Sequence, residues 1–133
     1  TFDVISERGQ YLGGIIVPCV NISADALFER AAKLPRVEIA RPPSVVGKTT
    51  VFAIQSGLVF GYVAMVEGLV KRIAGELEAE PWVVATGGLA TLISEQTAVI
   101  DLVDEHLTLE GLRMIHALNQ DQPAITRRPT AKQ

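Results

Sequence analysis

Pro81-Trp82-Val83-Val84-Ala85-Thr86-Gly87-Gly88-Leu89-Ala90 changes character halfway along. Residues 81–86 are a short apolar and β-branched run, the pattern of a buried strand. Two glycines follow, and residues 89–95 then read as a helix. A strand that feeds a helix through a diglycine turn leaves backbone N–H groups and a helix start uncovered by side chains. A planar base, a ribose or a phosphate can lie against such a backbone. Equally, paired glycines relieve crowding in a tight strand-to-helix turn, and the local sequence leaves both readings open. Downstream, 99–103 reads as a short edge strand or extended loop. Residues 107–118 read as a helix with Leu109, Leu112, Ile115 and His116 on one face. Residues 1–120 are taken as one domain, and 121–133, proline-bearing and without a period, as a disordered tail.

Upstream lies the longest expected helix, capped by Thr49 or Thr50 and ending near Glu78. It carries Gly57, Gly61, Gly68 and Gly75, which fall in one narrow stripe at about 100° per residue. Glycine in a helix costs roughly 1 kcal/mol relative to alanine, so another helix or strand is expected to approach along the bare stripe. Residues 41–48 form a proline-bearing loop, and 37–39 a short extended piece. Residues 21–33 read as a helix capped by Asn21 or Ser23, with Ala24, Leu27, Phe28 and Ala31 on one face. Residues 1–18 read as a hairpin with strands at 1–5 and 11–17 and a turn at Gly9. Gly13-Gly14 inside the second strand points to a bulge or a close backbone approach. The order of elements defines an α/β or α+β chain, with no dinucleotide-binding Gly-x-Gly-x-x-Gly after the first strand.

The 133 residues carry 12 basic and 15 acidic side chains, a net charge of −3. The basic residues form no block beyond Arg127-Arg128, which argues against nucleic-acid binding. A single cysteine, Cys19, excludes an internal disulfide. No secretory signal is visible, and the chain opens on Thr1 directly into a strand pattern, as expected of a chain that starts within a fold. Residues 51–70 approach the length of a membrane span, but Gln55, Ser56 and Glu67 interrupt them, so a buried helix of a soluble domain is expected. Gly47-Lys48-Thr49 resembles the end of a phosphate-binding loop, yet that loop requires glycine where Pro42 stands. His106 and His116 have no Cys or His at ligand spacing, so no metal site is expected. Cys19 lacks an activating neighbour, and the carboxylates form no defensible acid–base pair.

Taken in order, the pieces resemble the second half of a type III pantothenate kinase. They are Thr1-Phe2-Asp3; Gly9-x-Tyr11-x-Gly13-Gly14-x-Ile16-x-Pro18; Ala32-x-Leu34-Pro35-x-Val37; Pro43 through Gly47-Lys48-x-Thr50; Gln55-Ser56-Gly57-x-x-x-Gly61-Tyr62; and Ala85-Thr86-Gly87-Gly88-Leu89. The resemblance runs to about Leu118. It implies the C-terminal domain, without its first strand, of a two-domain kinase of ribonuclease-H-like, actin-like ATPase fold. Such enzymes are cytoplasmic homodimers that transfer the γ-phosphate of ATP to the 4′-hydroxyl of pantothenate, the first committed step towards coenzyme A. They use magnesium and a monovalent cation, potassium or ammonium. The resemblance implies that Thr86, Gly87 and Gly88 bind adenosine and that Thr50 contacts pantothenate across the dimer. The catalytic aspartate belongs to the family's N-terminal domain, and the cation-binding Asp-x-Gly-Thr turn lies before Thr1. No catalytic or metal residue is therefore assigned here, and this chain alone is expected to be inactive. Where the family has glycine after Pro18, this chain has Cys19, which makes that turn a point to check. The alternative is a non-catalytic actin-like module that binds nucleotide or a partner.

Overall fold

The computed structural model describes residues 1–31 and 34–120. Phe2–Ile5 (β1) and Tyr11–Ile15 (β2) pair antiparallel. Gly9, at φ 74°, closes the turn, and its N–H donates to the Ser6 carbonyl at 2.9 Å. The register slips between Val4 and Ile5. That slip is the bulge expected from the diglycine, with Gly13 at φ 131°, a conformation glycine adopts freely. Gly14 has a separate reason: a Cβ there would collide with the Phe2 carbonyl oxygen.

Val20–Arg30 (α1) begins earlier than the sequence suggested, and neither Asn21 nor Ser23 caps it. Cys19 is the N-cap residue and gives no side-chain cap; its carbonyl accepts from Ser23 N–H at 3.0 Å. The cause is packing: Val20 is buried, and α1 lies against the long helix. Cys19 has φ −72° and ψ 160°, extended backbone open to any residue, so the turn does not require glycine. Leu27 and Phe28 remain largely exposed. Phe28 instead stacks under Arg36, whose Cζ lies 4.3 Å from the ring centre, while Arg36 also pairs with Asp25 at 3.2 Å.

Thr50–Leu77 (α2) is the scaffold of the chain. Thr49, not Thr50, caps it: its hydroxyl accepts from Phe52 N–H at 3.2 Å. Glu78 ends it in the left-handed conformation at φ 51°, with its N–H on the Ala74 carbonyl. At 28 residues α2 is long and apolar enough to cross a bilayer. One face is covered by protein: Leu58, Val59, Val63 and Val66 are buried. The close approach expected along the glycine stripe is not found, and the stripe faces outward. A Cβ at Gly57, Gly61, Gly68 or Gly75 would meet nothing within 4 Å, so among the described residues nothing packs directly on the stripe, although Gly57 and Gly61 face a hollow bordered by Val20 and Ser23 of α1.

Val84–Ala85 (β3) pairs parallel with Leu102–Val103 (β4), and Ala90–Ser94 (α3) lies between them in the chain. Asp101 steers the pairing, accepting from Val83 N–H at 2.7 Å through its carboxylate and donating its own N–H to the Val83 carbonyl at 2.9 Å. The strand is shorter than 81–86 and is not the buried strand expected, since Trp82 is 72% exposed and Val84 is exposed. Among the described residues only β4 lies beside it, which leaves Trp82 and Val84 uncovered. The core joins Val63, Val66 and Ile93 with Phe2, Tyr62, Val70, Val99 and Ile100 around them. Hairpin, α3 and the β4 approach therefore all pack on the middle of α2. Leu107–Asn119 (α4) closes the described part with no buried residue; Leu109, Leu112 and Ile115 are exposed. The arrangement is α/β. Residues 121–133, expected to be a disordered tail, and Lys33 at the expected end of the second helix lie outside the described residues.

Candidate nucleotide and substrate site

Thr86, Gly87 and Gly88 follow directly on the carboxyl end of β3. In open α/β sheets, ligands bind at the carboxyl ends of parallel strands, and β3–β4 is the parallel pair here. The two glycines differ. Gly87 takes φ 100°, so a side chain there is strained whatever the space. Its carbonyl accepts Ala90 N–H at 3.0 Å and turns the chain into α3. Gly88 shows no such constraint, and a Cβ there would meet nothing within 4 Å. The turn explains Gly87 and leaves Gly88 without a structural reason. Both glycines and Thr86 are exposed, so their backbone face is open to a ligand. The α3 helix is only five residues long, so its dipole contributes little and the open backbone carries the argument.

Thr50 is the first residue of α2 and is exposed. Because Thr49 supplies the cap, the Thr50 hydroxyl is not needed to start the helix. Thr50 does not join the diglycine turn. The α3 contact is at Val63 and Val66, and the 13 residues from Thr50 to Val63 measure ~20 Å along the axis. Thr50 and the contact of α3 thus lie well apart along α2.

The segment leading into Thr50 is tied down by side chains that the sequence reading did not count as functional. Gln55 and Ser56 are buried polar residues on α2. The Gln55 Nε2 donates to the Glu38 carbonyl at 3.0 Å, and the Ser56 hydroxyl makes a short hydrogen bond to the Val45 carbonyl. Gly47 rests on the helix so closely that a Cβ would lie 2.6 Å from Ala53 Cα and nearer still to the Phe52 peptide. The available signal was two adjacent polar residues in an apolar helix after a strandless segment whose carbonyls need donors.

Near the middle of α2, a hollow of about 230 Å³ is lined by Pro18, Val20, Ser23, Gly61, Tyr62 and Met65 among others. Burial pushes the Tyr62 phenol above its ordinary value, and the nearby Cys19 adds to the rise. Among the described residues no group of three or more His, Cys, Asp or Glu could hold a metal ion.

The family model for type III pantothenate kinase matches residues 1–72. Curated relatives carrying that name extend the likeness. One from Anaeromyxobacter sp. (strain K) is 62% identical over 120 residues, 90% of this chain and 47% of its own length. Those from Anaeromyxobacter sp. (strain Fw109-5) and Syntrophotalea carbinolica are 58% and 57% identical over the same shares. An α/β chain with an open strand-end turn and a match of this extent is a kinase-family domain. The chain belongs to the type III pantothenate kinase family. It spans about half the length of the curated relatives it matches.

Proposed function

We propose that this chain serves as the C-terminal half of a two-domain pantothenate kinase of ribonuclease-H-like, actin-like fold. The complete enzyme transfers the γ-phosphate of ATP to the 4′-hydroxyl of pantothenate, and works as a cytoplasmic homodimer without membrane or nucleic-acid partners. The diglycine turn receives adenosine through Thr86, Gly87 and Gly88. Thr50 reaches pantothenate bound to the other subunit. The observation that carries the reading is Gly88: an exposed glycine at a parallel strand's carboxyl end that the turn itself does not require. The ~20 Å of helix between Thr50 and the α3 contact sets Thr50 apart from α3, which suits a contact made across a dimer.

No catalytic residue is assigned on this chain. Phosphoryl transfer depends on positioning and on charge stabilisation around the moving group. Among the described residues no group of three or more His, Cys, Asp or Glu could hold magnesium or potassium. What these residues do is bind and orient the adenosine and the alcohol.

Gly88→Val in the complete kinase tests the nucleotide assignment. The new side chain has room in the protein and would occupy the ligand's place, so the KM for ATP should rise well above that of the wild type. The KM for pantothenate should move little. An unchanged ATP response in a folded variant would return the motif to a plain turn. Gly87→Val is the poorer test, because strain at φ 100° would weaken the turn with or without a ligand.

A further inference from the structure

We infer that Gln55 and Ser56 are positioning residues for substrate, acting through a strap that fixes Thr50; this rests on the proposed role of Thr50.

Residues 38–47 cross the start of α2 without joining a sheet. Backbone carbonyls in such a segment need donors when they lie against protein. Two are supplied by adjacent buried positions of the helix, Gln55 to Glu38 and Ser56 to Val45. Pro42, between these anchors, is buried. Gly47 is the third anchor, seated against the Phe52–Ala53 backbone where a Cβ has no room. After Gly47 only Lys48 and Thr49 remain before Thr50, and Thr49 is held by its cap to Phe52 N–H. The strap and Thr49 are thus each fixed to α2, with Lys48 alone between Gly47 and Thr49.

A helix interior that needed only packing would carry apolar residues at 55 and 56, as it does at Leu58, Val59, Val63 and Val66. Burying an amide and a hydroxyl is costly unless each is paired, and among the described residues each is paired with the strap alone. Losing either bond frees the strap and lets the start of α2 fray. Thr50 then loses its aim. A hydroxyl held in one rotamer and place binds ligand more tightly than one that must be ordered on binding.

The test uses the complete kinase, with ATP and pantothenate as probes and Ser56→Ala and Gln55→Met as two independent variants. Each should raise the KM for pantothenate roughly fivefold, one hydrogen bond's worth, and leave kcat and the KM for ATP near wild type. Ser56→Thr, which keeps the hydroxyl, should restore most of the lost affinity. The discriminating measurement repeats the substitutions in a Thr50→Ala background. If the strap acts through Thr50, the further rise from Ser56→Ala or Gln55→Met should vanish there, since coupled residues are not additive. A full fivefold increment in that background would overturn the inference, as would a variant that melts lower with unchanged pantothenate KM. If Thr50→Ala alone leaves the pantothenate KM unchanged, the reading beneath fails and takes this one with it, a result distinct from the other two. Should Ser56→Ala fail to fold, Gln55→Met decides alone.

Discussion

Thr49 and Thr50 are neighbouring hydroxyls in different settings. Thr49 accepts from Phe52 N–H and starts the helix; Thr50 sits one residue further, exposed. From sequence either could cap, because both stand at the boundary and both side chains are suitable. Geometry separates them. Thr49→Ala should lower stability by about 1 kcal/mol, read as a fall in thermal midpoint, and any rise in pantothenate KM should vanish in a Thr50→Ala background. Thr50→Ala should leave the midpoint in place and raise pantothenate KM severalfold, on the order of one hydrogen bond. The opposite assignment of effects would mean that Thr50 serves the helix and not the ligand. The diglycine shows the same separation: both glycines were legible as a turn, but only backbone dihedrals reveal that Gly87 is needed for shape and Gly88 is not.

The long helix was legible as an element because its apolar run, cap and end signals agree. Its environment was not. Gly57, Gly61, Gly68 and Gly75 were read as a close-packed stripe, and within this chain they face open space. The propensity cost of four helical glycines still needs an offset. A second copy is the occupant that the proposed homodimer supplies, and bare backbone allows two helices to approach closely. Gly61→Leu is the test. Inside the chain the side chain has room, so the fold should persist, whereas a bulky group between two copies should cost about 1–3 kcal/mol through overpacking. Sedimentation should show a shift towards monomer. A folded variant with unaltered self-association would mean that the stripe faces something dispensable. The last helix repeats the lesson: its apolar face was visible in Leu109, Leu112 and Ile115, but all three are exposed.

At the scale of the molecule, the core gathers on one face of α2 while Ile16, Trp82 and Leu118 stand more than 70% exposed. The proposed role of Thr50 across a dimer makes a sharp prediction for mixed subunits of the complete kinase. One subunit carries Thr50→Ala; the other lacks the catalytic aspartate assigned to the half outside this chain. If Thr50 acts across the dimer, the site that keeps its aspartate receives a wild-type threonine, and its pantothenate KM should match the wild-type enzyme. A KM as high as in the Thr50→Ala homodimer would place Thr50 in its own subunit's site. The sequence by itself determined the elements: hairpin, helices and strand-to-helix turn lie close to where local periods, glycines and prolines put them, because those signals act within a few residues. It also determined the family, through motifs whose order and spacing survive without any contact being known. Tertiary structure decided what those signals cannot carry. Val20 drew the start of α1 forward by packing on α2. β3 is Val84–Ala85, the length over which β4 pairs with it. Gln55 and Ser56 became anchors only because residues 38–46 come back across the helix. In each case the deciding partner lies far away in sequence, and its position is set by packing rather than by local propensity.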